Sequence, residues 1–496
     1  MKNRIEKLIE LTLNSCLPYI VNKEGYIQFI DPLDKEEISA HYGNTHLAVS
    51  LIIFGSLKNN KSLIKTGEEL LFSYIGRWNK NKELSDFHND FNNFALCVLD
   101  DYTKQYHSTI KKTILSTDDT FFDTINWLPM RWYVNKCRYL WTNDVSYLNN
   151  CEHCKYLIEK ASYSDGYIDD MLPKGRSFSL QYNVATVAFM QFLRVYGDNI
   201  NLDLQLGALL NSVFPDGDIN YLGRGTNQIF AWGPWIYLLS SARIKELDRA
   251  LLYLENHLPT ALANNNILLN EFPGNEKNLW WDYHYCSVYT AHILFWLTMA
   301  LKDYDKKPIY PKLVVDGSSG LQIYKNDSVF IATFNGRTEY LSERGPSIEG
   351  IWTRNSGTIN KGTLGPWYGL FGNKYVQVDS TLRNFTGLMN TNSHFNEYGS
   401  KFKRLLSQTN LSTNETISPL FKSPKIEISK RISITYQLNR CTKLVNIPCL
   451  NGVPKARIDG MELSLTNTLK IKNHYGWCDI YQGKITSGKS ITIDIT

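Results

Sequence analysis

Hydrophobic positions recur at helical spacing from the first residue to about Asp303. Ile5, Leu8, Ile9, Leu13 and Cys16 fall on one stripe, as do Leu63, Ile64, Gly67, Leu70, Leu71 and Tyr74. Ile244, Leu247, Leu251, Leu254 and Leu258 form another. An apolar residue every three or four positions lets a helix cover a core with one face. On the order of ten to twelve such segments are predicted, separated by short polar or glycine turns. Two connecting stretches, 164–176 and 214–226, are longer and richer in Gly, Asp and Pro. Loops of that kind between packed helices often carry function.

The pattern changes at 303–312, DYDKKPIYPK, where two prolines and a run of charges mark a linker. Period-2 alternation follows: Leu321 and Ile323, then Val329, Ile331 and Thr333, then Ile426, Ile428, Ile432 and Ile434, and finally Ile491, Ile493 and Ile495. Such runs between glycine and asparagine turns predict antiparallel strands. Helices first and strands second imply separate layers or domains, not an alternating α/β fold. The expected organisation is therefore multidomain, α then β. A helical domain over 1–305 is arranged as an incomplete (α/α) toroid, and an antiparallel β-sandwich covers 312–496. Periodicity alone leaves a bundle, a solenoid and a toroid open for the helical part.

Composition narrows the chemistry only modestly. The chain of 496 residues is too long for one core. A net charge of +5 is too small an excess to point to nucleic acid, yet it is compatible with a polyanion if the cations converge. Thirty Tyr, 22 Phe and 12 Trp provide ring faces that stack on the C–H groups of sugars. Nine scattered Cys fit a reducing compartment, and a charged first segment does not read as a signal peptide, so the expected location is cytoplasmic. Cys151 and Cys154 form a lone C-x-x-C around His153, read as helix-surface residues and not as zinc ligands.

Four regions set polar and aromatic groups inside apolar helices. They are the run containing His88, Asn89, Asn92 and Asn93; the run with Asn126, Trp127 and Arg131; DGYIDDMLPKGRSFSLQYNVATVAFM, with Asp165, Gln181, Tyr182 and Asn183; and the pair carrying Arg224 and Gln228, then His284, Tyr285 and Tyr289. Taken singly, each has a structural explanation as a helix cap or a satisfied core group, and His292 is read as a core histidine. Together they suit β-elimination at a uronic acid. That reaction needs a base for the proton beside the carboxylate, an acid for the leaving oxygen, and donors against the developing enolate.

The DGYIDD…FSLQYNVATVAFM run resembles the segment bearing the catalytic tyrosine in heparinase II/III-like and related toroid polysaccharide lyases. The resemblance implies Tyr182 as base and acid, with Asn126 one helical hairpin upstream as carboxylate neutraliser. Many of these lyases have Asn-His where this chain has Asn126-Trp127. GRGTNQ is similar to the glycine-arginine segment of chondroitin- and hyaluronate-type lyases, which implies Arg224 at the carboxylate; His284 then supplies the missing imidazole. Asn93, Trp127, Gln228, Tyr285, His88 and Arg344 are expected to bind substrate, with Glu343 and His394 as further cleft residues. The partner is an acidic polysaccharide or oligosaccharide, without nucleic acid or membrane insertion. No metal or organic cofactor is implied beyond a structural calcium. Two other readings stay open. One is a glycoside hydrolase, using two of Asp165, Asp169, Asp170 and Asp282, or a uronyl epimerase. The other is a non-catalytic glycan-binding protein of polysaccharide assembly.

Overall fold

The computed structural model describes residues 1–80, 88–119, 123–175, 177–223, 227–242, 245–269, 285–335, 346–361, 371–372, 425–428, 432–437, 444–449, 452–473 and 476–495. Among these, twelve α-helices form: α1 (Lys2–Cys16), α2 (Gly43–Leu57), α3 (Lys61–Lys80), α4 (Asn89–Tyr102), α5 (His107–Leu115), α6 (Leu128–Thr142), α7 (Ser146–Ala161), α8 (Leu180–Val195), α9 (Asp203–Ser212), α10 (Trp232–Ala242), α11 (Leu247–Ala263) and α12 (Cys286–Lys302).

The helices are of two kinds, and the difference lies in their sequences. Odd-numbered helices carry one apolar stripe: α1 buries Ile5, Leu8, Ile9, Thr12, Leu13 and Cys16, the stripe expected from periodicity. Even-numbered helices are buried nearly all round. Every residue from Gly43 to Gly55 of α2, from Leu180 to Leu193 of α8 and from Cys286 to Ala300 of α12 is buried. A helix with no polar face must be surrounded by other elements. Accordingly α2 packs on α4, α4 on α6, α6 on α8, α8 on α10, α10 on α12, and α12 on α2 again. The odd helices lie outside this inner ring: α3 against α2, α7 against α6, α11 against α10 and α1. The incomplete toroid expected from sequence is thus a closed ring, because α12 reaches α2.

The closing seam is fastened by the segment between α1 and α2. It opens with a hairpin, β1 (Ile20–Lys23) and β2 (Tyr26–Phe29), turned at Glu24 and Gly25 with both φ angles positive. Just beyond it, the buried Asp31 carboxylate accepts the backbone N–H of Ser287 at 2.8 Å and its hydroxyl at 2.9 Å. Its other oxygen accepts Leu33 N–H at 2.9 Å. One carboxylate therefore caps α12 and ties the hairpin segment to the last inner helix.

After α12 all described strand pairings are antiparallel. The first sheet runs in chain order β3 (Leu321–Lys325), β4 (Val329–Asn335), β5 (Pro346–Thr353), β6 (Gly357–Lys361). The remaining strands are β7 (Phe371–Gly372), β8 (Lys425–Ile428), β9 (Ile432–Gln437), β10 (Leu444–Cys449), β11 (Lys455–Ile458), β12 (Met461–Leu463), β13 (Thr466–Asn473), β14 (Gly476–Lys484) and β15 (Ser490–Ile495). They make a five-stranded sheet, β12-β11-β15-β9-β8, and a four-stranded one, β13-β14-β10-β7. Alternate residues of all three sheets meet in one core, among them Ile331, Ile351, Ile434, Ile447 and Ile493. Where two layers of a sandwich were expected, three antiparallel sheets share the interior.

A second apolar cluster joins the first sheet to the ring. Phe330, Ala332 and Phe334 of β4 pack on Phe178, Phe214, Tyr221 and Leu222. Gly350 lies so close to Phe214 that an added Cβ would stand 2.3 Å from its ring.

Among the described residues no helix is long and apolar enough to cross a membrane, and no group of three His, Cys, Asp or Glu side chains is placed to hold a metal ion. The fold makes one stability prediction. Asp31→Ala leaves the α12 cap donors without a partner and costs about 2–3 kcal/mol in urea unfolding. A loss below about 0.5 kcal/mol would show that the seam closes without this clasp.

Candidate active site at the mouth of the helical ring

Each odd helix returns the chain to the same side, so the six inner helices run in one direction. Their N-termini converge on one mouth, which carries the long segments before α2, α8 and α10. The first turns of α2, α4 and α8 bury several polar groups, among them Asn44, Thr45, His46, Asn89, Asp90, Asn92, Gln181 and Asn183. Unpaired N–H groups and aligned peptide dipoles make such ends electropositive and suited to anions.

Polar pairs stitch neighbouring helices together at this level. Between α2 and α4, Thr45 Oγ1 donates to Asn92 Oδ1 at 2.6 Å. Between α4 and α6, Arg131 Nη2 meets Asp90 Oδ2 at 3.0 Å, and its Nη1 meets Asp123. Asn126, in the 3-10 turn before α6, donates Nδ2–H to Asp170 Oδ1 at 2.6 Å. Gln181 in the first turn of α8 donates to Gln228 Oε1 at 3.4 Å, while Asn220 donates to Gln181 Oε1 at 3.3 Å and to the Gln228 carbonyl at 3.2 Å. Between α2 and α12, the Nδ1 atoms of His46 and His292 stand 3.4 Å apart. Burial lowers the pKa of His46 to about 3; burial, then the neighbouring His46, holds His292 well below the ordinary range. Both rings are neutral, and one Nδ1–H donates to the other bare nitrogen.

Above this pair lies an aromatic floor. Phe230 stacks on His292 at 4.2 Å and meets Tyr182 at 5.9 Å; Tyr42 stacks on Phe91 at 4.2 Å and edges His292. At the rim, His41 stacks on His88 at 4.0 Å and lies 4.9 Å from Tyr285. His41 and Tyr285 are partly open to solvent, whereas Tyr182 is 7% exposed. Tyr182 follows Ser179, whose side chain caps α8 by accepting the Tyr182 N–H. The segments of Asn126 and Gln228 both pack on α8. Asn126, Gln181, Tyr182 and Gln228 therefore lie at or just before three successive inner-helix starts, those of α6, α8 and α10.

The acidic residues of this region divide by role. Asp165 accepts the Ser319 N–H and hydroxyl, at 3.0 and 2.6 Å, and so joins the loop to the strand region. Asp169 holds its own loop, accepting from Tyr163, Gly175 and Ser177 at 2.6–2.9 Å. Asp170 faces Asn126. Asn126 Oδ1 is buried with no hydrogen-bond partner among the described residues, and Nδ2 carries a second N–H.

Some residues expected to bind substrate lie behind the surface. Asn93 sits deeper in α4 and donates to Thr117 Oγ1 at 3.0 Å, holding a loop. Trp127 is 8% exposed, wedged against His88 and Phe91, so it supports the floor from below. His88 is buried with Nδ1 against the Ala40 carbonyl, and presents its ring to His41. Gln228 is fully buried within the amide network. Tyr285 stands at the rim. Arg224, His284, Arg344, Glu343, His394 and Asp282 lie outside the described residues. Cys151 and Cys154 are buried toward α6 while His153 is exposed; burial pushes the Cys151 thiol up to about 12, so this C-x-x-C has no thiolate character. Reading the sequence missed His41 and Tyr42, which precede α2 as an aromatic pair before a helix that is buried from Gly43 to Gly55.

Two predictions follow from this burial. Trp127→Ala should cost about 3–5 kcal/mol of stability, as a truncated core aromatic does. Tyr285→Ala should leave thermal unfolding nearly unchanged and weaken glycan binding; the reverse pattern would exchange their roles. The neutral histidines give a pH dependence. An unfolded histidine titrates near 6.5 and His46 near 3. Protons thus favour the unfolded chain: the stability is fully present above about pH 6.5 and declines as the pH falls toward 3, by about 1.4 kcal/mol per unit per histidine. Urea titrations at pH 7, 6 and 5 should show that slope, and His46→Gln should reduce it. An equal slope in the variant would place the acid sensitivity elsewhere.

No family model matches the sequence, and no curated protein matches it. Solved structures do resemble it. An α-1,6-mannanase of Salegentibacter sp. HEL1_6 aligns over 60% of this chain and 99% of its own, at 13% identity and TM-score 0.43. An unsaturated glucuronyl hydrolase variant of Streptococcus agalactiae aligns over 62% and 94%, at 11% identity and TM-score 0.41. A polysaccharide lyase aligns over 60% and 97%, at 10% identity and TM-score 0.39.

Proposed function

We propose that this protein processes glycans, and specifically that it is a lyase cleaving a uronate-containing polysaccharide by β-elimination. The observation that carries the reading is the grouping of one phenol, Tyr182, with neutral amides on three successive helix starts. Tyr182 abstracts the proton beside the uronate carboxylate and returns a proton to the leaving oxygen. The second N–H of Asn126 and the electropositive helix ends stabilise the enolate, whose charge exceeds that of the bound substrate. Arg224 and His284 complete the donor set in this reading. The aromatic floor and the His41–Tyr285 rim receive the sugar faces.

The described carboxylates support elimination over hydrolysis. A hydrolase needs two of them flanking the bond, one protonated. Among the described candidates, Asp165 and Asp169 are instead bonded to backbone and hydroxyl donors, and Asp170 accepts from Asn126; Asp282 lies outside the described residues.

The test is a screen of acidic polysaccharides, following ultraviolet absorbance of the unsaturated uronate and, in parallel, new reducing ends. Both signals should rise together with the wild type. Reducing ends without the chromophore would make the enzyme a hydrolase. Tyr182→Phe should fold normally, losing only about 0.5–1.5 kcal/mol with one hydroxyl, and should lower turnover by about 10²–10⁴ or more. Near-normal turnover in this variant would remove Tyr182 from the mechanism. Asn126→Ala should lower turnover by about 10²–10³ while binding persists.

A further inference from the structure

We infer that Lys361, on β6 of the first sheet, is a positioning residue for the mouth of the ring; this rests on the reading of Tyr182 and its amide neighbours as the active site. Lys361 is 4% exposed, and its ammonium leaves its own sheet to enter the 213–223 segment before α10. There it pairs with Asp216 and lies 3.4 Å from Asp218, over the rings of Phe214 at 4.8 Å and Tyr253 at 5.3 Å. Asp218 is fully buried. A buried carboxylate is tolerated only with a cation or several donors around it.

The bonds of that carboxylate lead directly to the mouth. Asp218 Oδ1 accepts the Asn220 backbone N–H at 2.8 Å, and the Asp218 carbonyl accepts Phe214 N–H at 2.7 Å. Asn220 then donates to Gln181 and to the Gln228 carbonyl, and its own carbonyl accepts Asn227 N–H at 2.7 Å. Two residues on, the Leu222 carbonyl accepts Leu180 N–H at 3.0 Å, in the turn that carries Tyr182. The 213–223 segment thus serves as a strut: one end is held by a lysine of the sheet, the other sets the first turn of α8. Without the ammonium, Asp218 is buried with no other ion-pair partner among the described residues. The segment must open to hydrate it, and Asn220 moves with it.

This account assigns the sheet a part in catalysis that it performs without touching substrate. Lys361→Met keeps the apolar stem and removes the charge. In the full-length protein, amide hydrogen exchange in 213–223 and 180–186 should accelerate by about tenfold or more, while β9 and β15 keep their protection. Asp216→Asn, at the half-exposed partner, should give a milder form of the same local loss. Lys361→Met combined with Asp218→Asn should restore much of the protection, because the stranded charge is gone. On a cleaved polysaccharide, kcat should fall for Lys361→Met by about 10–100-fold with a smaller change in KM, and recover in part in the double variant. Unchanged exchange in 213–223 and 180–186 would overturn the proposal. So would equal loss of protection throughout ring and sheet, which marks a mere structural clamp. If Lys361→Met does not fold, Asp216→Asn decides between the same outcomes. If no polysaccharide yields the unsaturated product, the lyase reading fails, and the exchange data still decide whether Lys361 positions the mouth.

Discussion

The structure depends on a conflict inside each inner helix. A helix that is apolar all round can lie at the centre of a ring, but its first N–H groups and its polar starting residues are then buried as well. Burying them without partners would cost a few kcal/mol per group. The ring resolves this by pairing across its seams: Thr45 with Asn92, Asp90 with Arg131, Asn126 with Asp170, Gln181 with Gln228, Ser287 with Asp31. Each bond joins different parts of the chain. Satisfying the helix ends and holding the ring together are therefore the same set of contacts.

That solution also concentrates reactive chemistry at one end. Amides, a phenol and imidazoles gather where six dipoles point, in surroundings with little water to screen them. A neutral amide already oriented by its neighbour needs no reorganisation when charge develops on a substrate. Asn126 shows the arrangement: Asp170 fixes the plane of its amide, and a second N–H remains for another acceptor. The Gln181–Asn220–Gln228 network is similarly fixed. Rigid donors suit the proposed elimination, whose difficulty lies in stabilising an enolate.

Much of the fold was legible because burial patterns are local. The α1 stripe at Ile5, Leu8, Ile9 and Leu13 and the alternation of Ile432 and Ile434 or Ile491 and Ile493 are statements about single elements. Ring closure was not legible, since it brings α12 against α2 and Ser287 against Asp31, which are 256 residues apart. Of the candidate site, the segments were legible but not the facing of their side chains. The segments before α6, α8 and α10 stood out because polar residues interrupt apolar runs, and they do meet. Which member of a segment faces the opening depends on rotation about the helix start. Asn93 and Trp127 turned inward for that reason, and His41 escaped notice because its partners, His88 and Tyr285, are distant in sequence.

The sheet's contact with the ring extends the same logic beyond the helices. An apolar contact such as Phe330 on Phe214 holds two surfaces together but tolerates sliding, because dispersion and burial have little directional preference. A buried ion pair has the opposite character: it adds little net stability, and it penalises strongly any displacement that separates the charges. The seam between sheet and ring has both. Phe214, Tyr221 and Leu222 provide the area, and Lys361 against Asp216 and Asp218 fixes the register. The fixed point falls on the segment that caps the α8 first turn, so the register of the sheet is transmitted to the residues around Tyr182. A purely apolar seam would bind the sheet as firmly and leave that turn less well defined.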